Sequence, residues 1–250
     1  MLLDAAIIAG AMAAGFVQGL SGFAFSLVAL AVWVWLVPPH LIGPMAVVGA
    51  FVGQLLAFRT LAQGFSLRRL APLLLGGIVG APLGVFALTH IDPVWFKGAV
   101  GLFLLIYALL ALASRDLPRI AWGGGAADAA VGLFGGAMGG LGGMAGSPPA
   151  LWGILRGWAR DERRAVVQAF SVAMHVITLT IYASTGILTA EVGWKCLLVA
   201  PAMLIPTLIG QRLYQRVSER AFTRIVLILL AASGLAMLAA SVPALVSRLR

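Results

Sequence analysis

Charged side chains are scarce in this chain. Only 10% of the 250 residues are charged, and 62% are hydrophobic, whereas soluble domains carry roughly 25% charged residues. Apolar runs of about 20 residues, the length of a membrane-spanning helix, recur from end to end. Because these runs are continuous rather than alternating, they predict a helical membrane protein that crosses the bilayer several times, and they disfavour a β-barrel.

Residues that support metal binding or catalysis are also rare. The single cysteine, Cys196, excludes an internal disulfide and a multi-cysteine metal site. The three histidines have no close spacing, which disfavours a transition-metal site. The sequence contains no H-E-x-x-H motif and no Ser/His/Asp set, and no acid lies clearly in the middle of a span. We therefore predict no metal, no cofactor and no catalytic residue, and we disfavour cation transport.

Glycine, by contrast, is abundant in two related stretches. Residues 132–158 read GLFGGAMGGLGGMAGSPPALWGILRGW, and residues 13–32 read AAGFVQGLSGFAFSLVALAV. Six residues of the first stretch, between Gly15 and Ser26, recur 121 positions later, between Gly136 and Ser147. We interpret the two stretches as equivalent parts of a duplicated sequence.

Each glycine-rich stretch is predicted to form a bent helical hairpin. The bends fall near residues 19–22 and 139–146. Arms of about 15 residues would be ~22 Å long, which is less than the ~30 Å of a hydrocarbon core. The arms therefore form either a re-entrant hairpin or two thin, tilted spans.

Three apolar spans follow each hairpin, at 42–60, 69–89 and 94–114 and again at 165–184, 192–213 and 224–243. We predict an all-α membrane protein with eight to ten membrane helices in two repeats, residues 1–120 and 121–250. If each hairpin returns to the side from which it enters, the repeats are inverted. The cytoplasmic side then holds regions 59–69, 115–122, 156–164 and 212–224. These regions contain 13 of the 17 basic residues, as the positive-inside rule requires. The net charge of +9 accordingly indicates contact with a lipid bilayer rather than with nucleic acid.

The two bends are the predicted binding site, since inverted repeats place a substrate at their interface. The helix that starts after a bend presents N–H groups and the positive end of its dipole, which suits an anion. Ser147, followed by two prolines, is predicted to be the N-cap of such a helix. The candidate substrate-binding residues are Gln18, Ser21, Gly22, Ser26, Gln54, Gly142, Gly143, Gly146, Ser147 and His175.

Three polar residues share one face of the 165–184 span, at i, i+3 and i+7. His175 either donates to an anion or accepts a proton, and the alternative is a histidine bonded to a backbone carbonyl. Thr178 and Tyr182 are predicted to pack or to bond between helices. Asp4 and Asp128, near the starts of the hairpins, are predicted to be helix N-caps.

In the motifs GFVQGLSGFAFSLVAL and GLFGGAMGGLGGMAGSPPALWGILRGW the chain resembles the TauE/SafE family of bacterial sulfite and organosulfonate exporters. The resemblance covers essentially the whole chain. Phe23-Ala24-Phe25 departs from it, because more glycine and a proline are typical there. The resemblance implies transport of sulfite, sulfoacetate or another organosulfonate across the bacterial inner membrane.

We therefore expect a secondary transporter, an exporter, for a small sulfur-containing anion. An anion channel and a membrane-embedded enzyme or assembly subunit are the alternatives. The sequence leaves the oligomeric state open, including a homodimer.

Overall fold

The computed structural model describes residues 2–56, 66–113, 119–213 and 219–249. This part of the chain forms ten α-helices and no strand. The helices are α1 (Leu2–Ser21), α2 (Phe25–Trp33), α3 (Pro39–Leu56), α4 (Leu67–His90), α5 (Pro93–Ala113), α6 (Gly124–Gly142), α7 (Ser147–Leu155), α8 (Arg160–Ser184), α9 (Ala190–Leu213) and α10 (Glu219–Leu249). The predicted all-α fold with eight to ten helices is confirmed.

The six predicted spans correspond to α3, α4, α5, α8, α9 and α10. These helices and α1 are the seven that are long and apolar enough to cross a membrane, so the chain is a multi-pass membrane protein. Helix α10 extends beyond the predicted 224–243 at both ends. The end of the predicted 42–60 span lies outside the described residues. So do parts of the predicted cytoplasmic regions, at 59–65, 115–118 and 214–218.

Both glycine-rich stretches form helical hairpins, but their arms are unequal. The first arms, α1 and α6, have 20 and 19 residues, and the second arms, α2 and α7, have nine each. The prediction of about 15 residues per arm was wrong, because the first arms continue along neighbouring helices up to a glycine with positive φ. A nine-residue arm of ~14 Å cannot cross the bilayer.

Each short arm returns to the start of its long arm. The Trp33 indole at the end of α2 donates to the Ile7 carbonyl oxygen near the start of α1, at 3.3 Å. The Trp152 indole in α7 donates to Asp128 near the start of α6, at 2.7 Å. In both hairpins the short arm therefore folds back towards the end at which the long arm begins.

Each long arm packs along a helix from the other half of the chain. A Cβ on Gly84 of α4 would clash with the Ala137 carbonyl oxygen of α6, and a Cβ on Gly210 of α9 would clash with the Phe16 carbonyl oxygen of α1. These two contacts correspond to each other under the sequence repeat, because the partner residues are 121 positions apart. Close approach through glycine is the usual device for packing helices in membranes. The equivalent contacts favour the inverted-repeat arrangement, which remains a prediction.

Asp4 and Asp128 do not cap helices as predicted. Asp4 lies in the first turn of α1 and accepts a bond from Lys195 of α9, at 2.6 Å. Asp128 lies inside α6, whose N-cap is Gly123, and it accepts from Trp152 and lies 3.7 Å from Arg156. Both carboxylates hold helices together instead, since a membrane-embedded charge is stable only when paired.

Basic residues gather where α4 and α8 start and α7 ends. Arg69 of α4 forms an ion pair with Glu162 of α8, at 2.5 Å, and stacks over Trp158. Arg156 bonds to the carbonyl oxygens of Ile120 and Trp122. We call this part of the molecule the basic end.

Candidate substrate-binding site

The two hairpins meet between α3 and α8. The Ser26 hydroxyl, just after the first bend, donates to the Gly143 carbonyl oxygen of the second bend at 2.9 Å and to the Ala46 carbonyl oxygen of α3 at 3.2 Å. A Cβ on Gly146 would lie 3.1 Å from the Phe23 Cβ. Ser26, Gly143 and Gly146 are thus brought together as the sequence predicted, although they come from opposite halves of the chain.

Side chains from other helices bond to the end of α6. Gly143 ends this helix at a φ of +74°, and its carbonyl oxygen accepts from Ser26 and lies 3.1 Å from His175 Nε2. The Tyr182 hydroxyl donates to the Gly140 carbonyl oxygen at 2.6 Å. The last carbonyls of a helix lack partners within it, so these three side chains stabilise the bend. The alternative for His175, a bond to a backbone carbonyl, is observed.

The bond to Gly143 determines what His175 can still bind. Because a carbonyl oxygen only accepts, His175 Nε2 carries a proton. Its other nitrogen, Nδ1, is buried and has no hydrogen-bond partner among the described residues. In the neutral ring Nδ1 is an acceptor. An anion can therefore bond to it only if one extra proton is present, on the ring or on the anion.

The first bend is bonded by its own side chains. Gln18 donates to the Gly22 carbonyl oxygen at 3.4 Å and accepts from the Phe25 N–H at 2.9 Å. Ser21 accepts from the N–H of Ala24 at 3.1 Å and donates to a carbonyl of α1. Gly22 has a φ of +86°, a conformation that favours glycine. The bonds of Gln18 and Ser21 thus fix the shape of the bend.

The N–H groups of the two bend glycines are already bonded within the protein. The N–H groups of Gly22 and Gly143 bond to carbonyls of their own helices, at 2.7 and 2.8 Å. Helix α7 has Gly146 rather than Ser147 as its N-cap, and the Ser147 N–H bonds to the Met144 carbonyl oxygen. The next two residues are prolines, which have no N–H. The N-cap prediction for Ser147 was therefore wrong by one residue.

Four side chains of α3, α7 and α8 contain buried polar atoms without a hydrogen-bond partner in the described part of the chain. They are Gln54 Oε1, Ser147 Oγ, His175 Nδ1 and Thr178 Oγ1, and all four residues are at most 2% exposed. Leaving such an atom unbonded costs about 1–3 kcal/mol. A polar ligand that bonds to these groups would recover this cost.

The remaining predicted residue, Gly142, has an apolar neighbour. A Cβ there would lie 3.3 Å from a Leu30 methyl carbon, so Gly142 shapes the junction. Two residues near the bends were not among the candidates: Thr178, and Ser171, whose hydroxyl would lie 2.6 Å from a Cβ on Gly146. Thr178 shares a face of α8 with His175, as its spacing predicted, although it was predicted only to pack or to bond between helices. Ser171 lies four residues before His175 on the same face, and this spacing could have identified it. Within the described ranges, no group of three histidine, cysteine or acidic residues could hold a metal.

The fold and the buried polar junction define a class of protein, a helical membrane transporter in which bent helical hairpins from two halves of the chain meet. The family model for the sulfite exporter TauE/SafE matches residues 7–237, and the chain belongs to this family. The members of this family are transporters rather than enzymes. No curated protein and no solved structure matches the chain.

Proposed function

We propose that this protein is a secondary transporter that exports a small sulfur-containing anion, such as sulfite, sulfoacetate or another organosulfonate, across the bacterial inner membrane. The observation that carries the proposal is the junction of the two hairpins. Ser147 adjoins the second bend and His175 bonds to it, and both contain a buried polar atom without a partner in the described part of the chain. Inverted-repeat transporters bind their substrates at such an interface between the repeats.

The candidate residues divide into two groups in this proposal. Ser147 donates to the oxygens of the anion, and Gln54 and His175 bond to its protons or to ordered water. Ser26 holds the two hairpins together through its bond to the Gly143 carbonyl oxygen. Gln18, Ser21, Gly22, Gly142, Gly143 and Gly146 shape the two bends that enclose it.

Alternating access follows from the same arrangement. Residues 1–120 and 121–250 act as inverted repeats, with hairpins that enter from opposite sides of the membrane. Each bend contains a glycine with positive φ and is stabilised by few side-chain hydrogen bonds. Small rearrangements at Gly22 and at Gly143 would open the junction to one side at a time.

A panel of thermal-shift measurements on the purified protein tests the proposal. Binding at 100 times the Kd stabilises a protein by about 2.7 kcal/mol, and ~2–4 °C per kcal/mol gives a rise of about 5–10 °C. We expect sulfite or a sulfonate to give a saturable rise, and chloride at equal ionic strength to give none. The same shift with every anion, or none with any of them, would contradict the proposed substrate class.

A further inference from the structure

One face of α8 is polar along the length of the helix. Its polar residues follow one another at intervals of three or four, which places them on one side: Arg164, Gln168, Ser171, His175, Thr178 and Tyr182. All except Arg164 are at most 2% exposed, and Arg164 is half-buried at the basic end. Buried polar groups are costly in a membrane protein and usually serve its function.

This polar face runs past both bends in turn. A Cβ on Gly22 would lie 3.5 Å from Gln168 Nε2 and 3.6 Å from Arg164 Nε. Farther along α8, Ser171 lies beside the second bend and His175 bonds to it. The face therefore connects the basic end with the junction of the hairpins.

The equivalent helix of the first half has no such face. Helix α3 matches α8 at an offset of 119 residues, and the positions that correspond to the first four polar residues are Met45, Gly49, Val52 and Leu56. A polar face needed only to pack a helix against a hairpin would be expected in both halves. The polar face is present on α8 and absent from the described part of α3. Among the described residues His175 Nδ1 and Thr178 Oγ1 also have no hydrogen-bond partner, and together these observations indicate a ligand.

We propose that the transported anion moves along this face of α8, and that Arg164, Gln168 and the bend at Gly22 form a second anion-binding site at the basic end. Eleven residues separate Arg164 from His175, which corresponds to ~16 Å along the helix. The two sites are therefore distinct. This inference rests on the proposed function and adds the group that attracts the anion.

The chemistry of Arg164 suits this class of substrate. A guanidinium presents parallel N–H donors that match two oxygens of one oxyanion, and it retains its charge when partly buried. Gln168 adds an amide donor next to it. Sulfite and sulfonates share a pyramidal group of three oxygens on sulfur, so one site serves either of them.

The test compares two arginines that are neighbours in sequence. Arg164→Gln and Arg163→Gln remove the same charge from the same end of the protein. Arg163, however, packs on α7: a Cβ added to Gly153 would lie 2.8 Å from the Arg163 Cγ. Each variant is reconstituted in proteoliposomes, and the flux of radiolabelled sulfite and sulfoacetate is measured over a range of concentrations. We expect Arg164→Gln to raise KM at least about tenfold and Arg163→Gln to change it less than about twofold.

Conservative variants complete the test. Arg164→Lys retains the charge but loses the planar fork, so its KM should lie between those of wild type and Arg164→Gln. If Arg164→Gln is not recovered folded, Arg164→Lys and Gln168→Met decide the question, since each should raise KM severalfold. Equal KM values for the two glutamine variants, or a lower kcat at unchanged KM, would overturn the second site. A wild-type protein without saturable flux would instead count against the proposed function.

Discussion

Replacing Ser147 with alanine should stabilise the protein and weaken substrate binding at the same time. The side chain is fully buried, and its hydroxyl has no hydrogen-bond partner among the described residues. Removing it loses no bond in the free protein and relieves a desolvation cost of about 1–3 kcal/mol. The melting temperature should therefore rise by ~2–4 °C for each kcal/mol gained.

The same substitution removes a donor to the anion. A hydrogen bond to a charged group contributes about 1.5–3 kcal/mol, and each 1.4 kcal/mol changes affinity tenfold. Sulfite binding should therefore weaken by about tenfold to a hundredfold. A hydroxyl with a purely structural role would give the opposite sign for stability and no change in affinity.

Ser241→Ala is the matched control. Ser241 is also buried, but its hydroxyl donates to the Met237 carbonyl oxygen within α10, at 2.8 Å. The control should lose a little stability and retain its affinity for sulfite. Melting curves with and without sulfite, together with equilibrium binding, measure both quantities for each variant. If Ser147→Ala is less stable than wild type and binds sulfite equally well, the reasoning is refuted.

Three further predictions concern packing, an ion pair and pH. Gly84→Ala should lower the free energy of unfolding by about 1–3 kcal/mol, because the new Cβ would clash with a backbone carbonyl of α6. Gly125→Ala, where a Cβ has room, is the control, and its melting temperature should equal that of wild type. Asp128→Ala should cost about 3–5 kcal/mol since it leaves Arg156 without this carboxylate, and a melting temperature equal to that of wild type would contradict the assignment. Sulfite affinity should rise as the pH falls, because a bond at His175 Nδ1 requires one extra proton. Titrations should show that His175→Gln loses this dependence, and an equal dependence in both proteins would exclude His175.

The helices could be predicted from the sequence, because membrane spans are long and apolar. The predicted span 192–213 differs from α9 by two residues at one end. The bends could also be located, since a chain that reverses within the membrane needs a residue that adopts positive φ, as Gly22 and Gly143 do.

Hydrogen-bond partners could not be predicted, since they come from distant parts of the chain. Gly143 accepts from Ser26, 117 residues earlier, and from His175, 32 residues later. Whether the N–H groups at a bend remain available to an anion depends on how each helix ends, and here those of Gly22 and Gly143 are used locally. The unequal arms were missed for a related reason, since the length of α1 reflects its packing on α9.

The most direct test of the account is the concentration dependence of sulfite and sulfonate flux through the purified protein in proteoliposomes. Alternating access at the junction of the hairpins predicts a flux that saturates and is inhibited by a second sulfonate. Flux that rises linearly with concentration and is accompanied by single-channel currents would show a channel, and the absence of flux for every sulfur anion would contradict the proposed transport function.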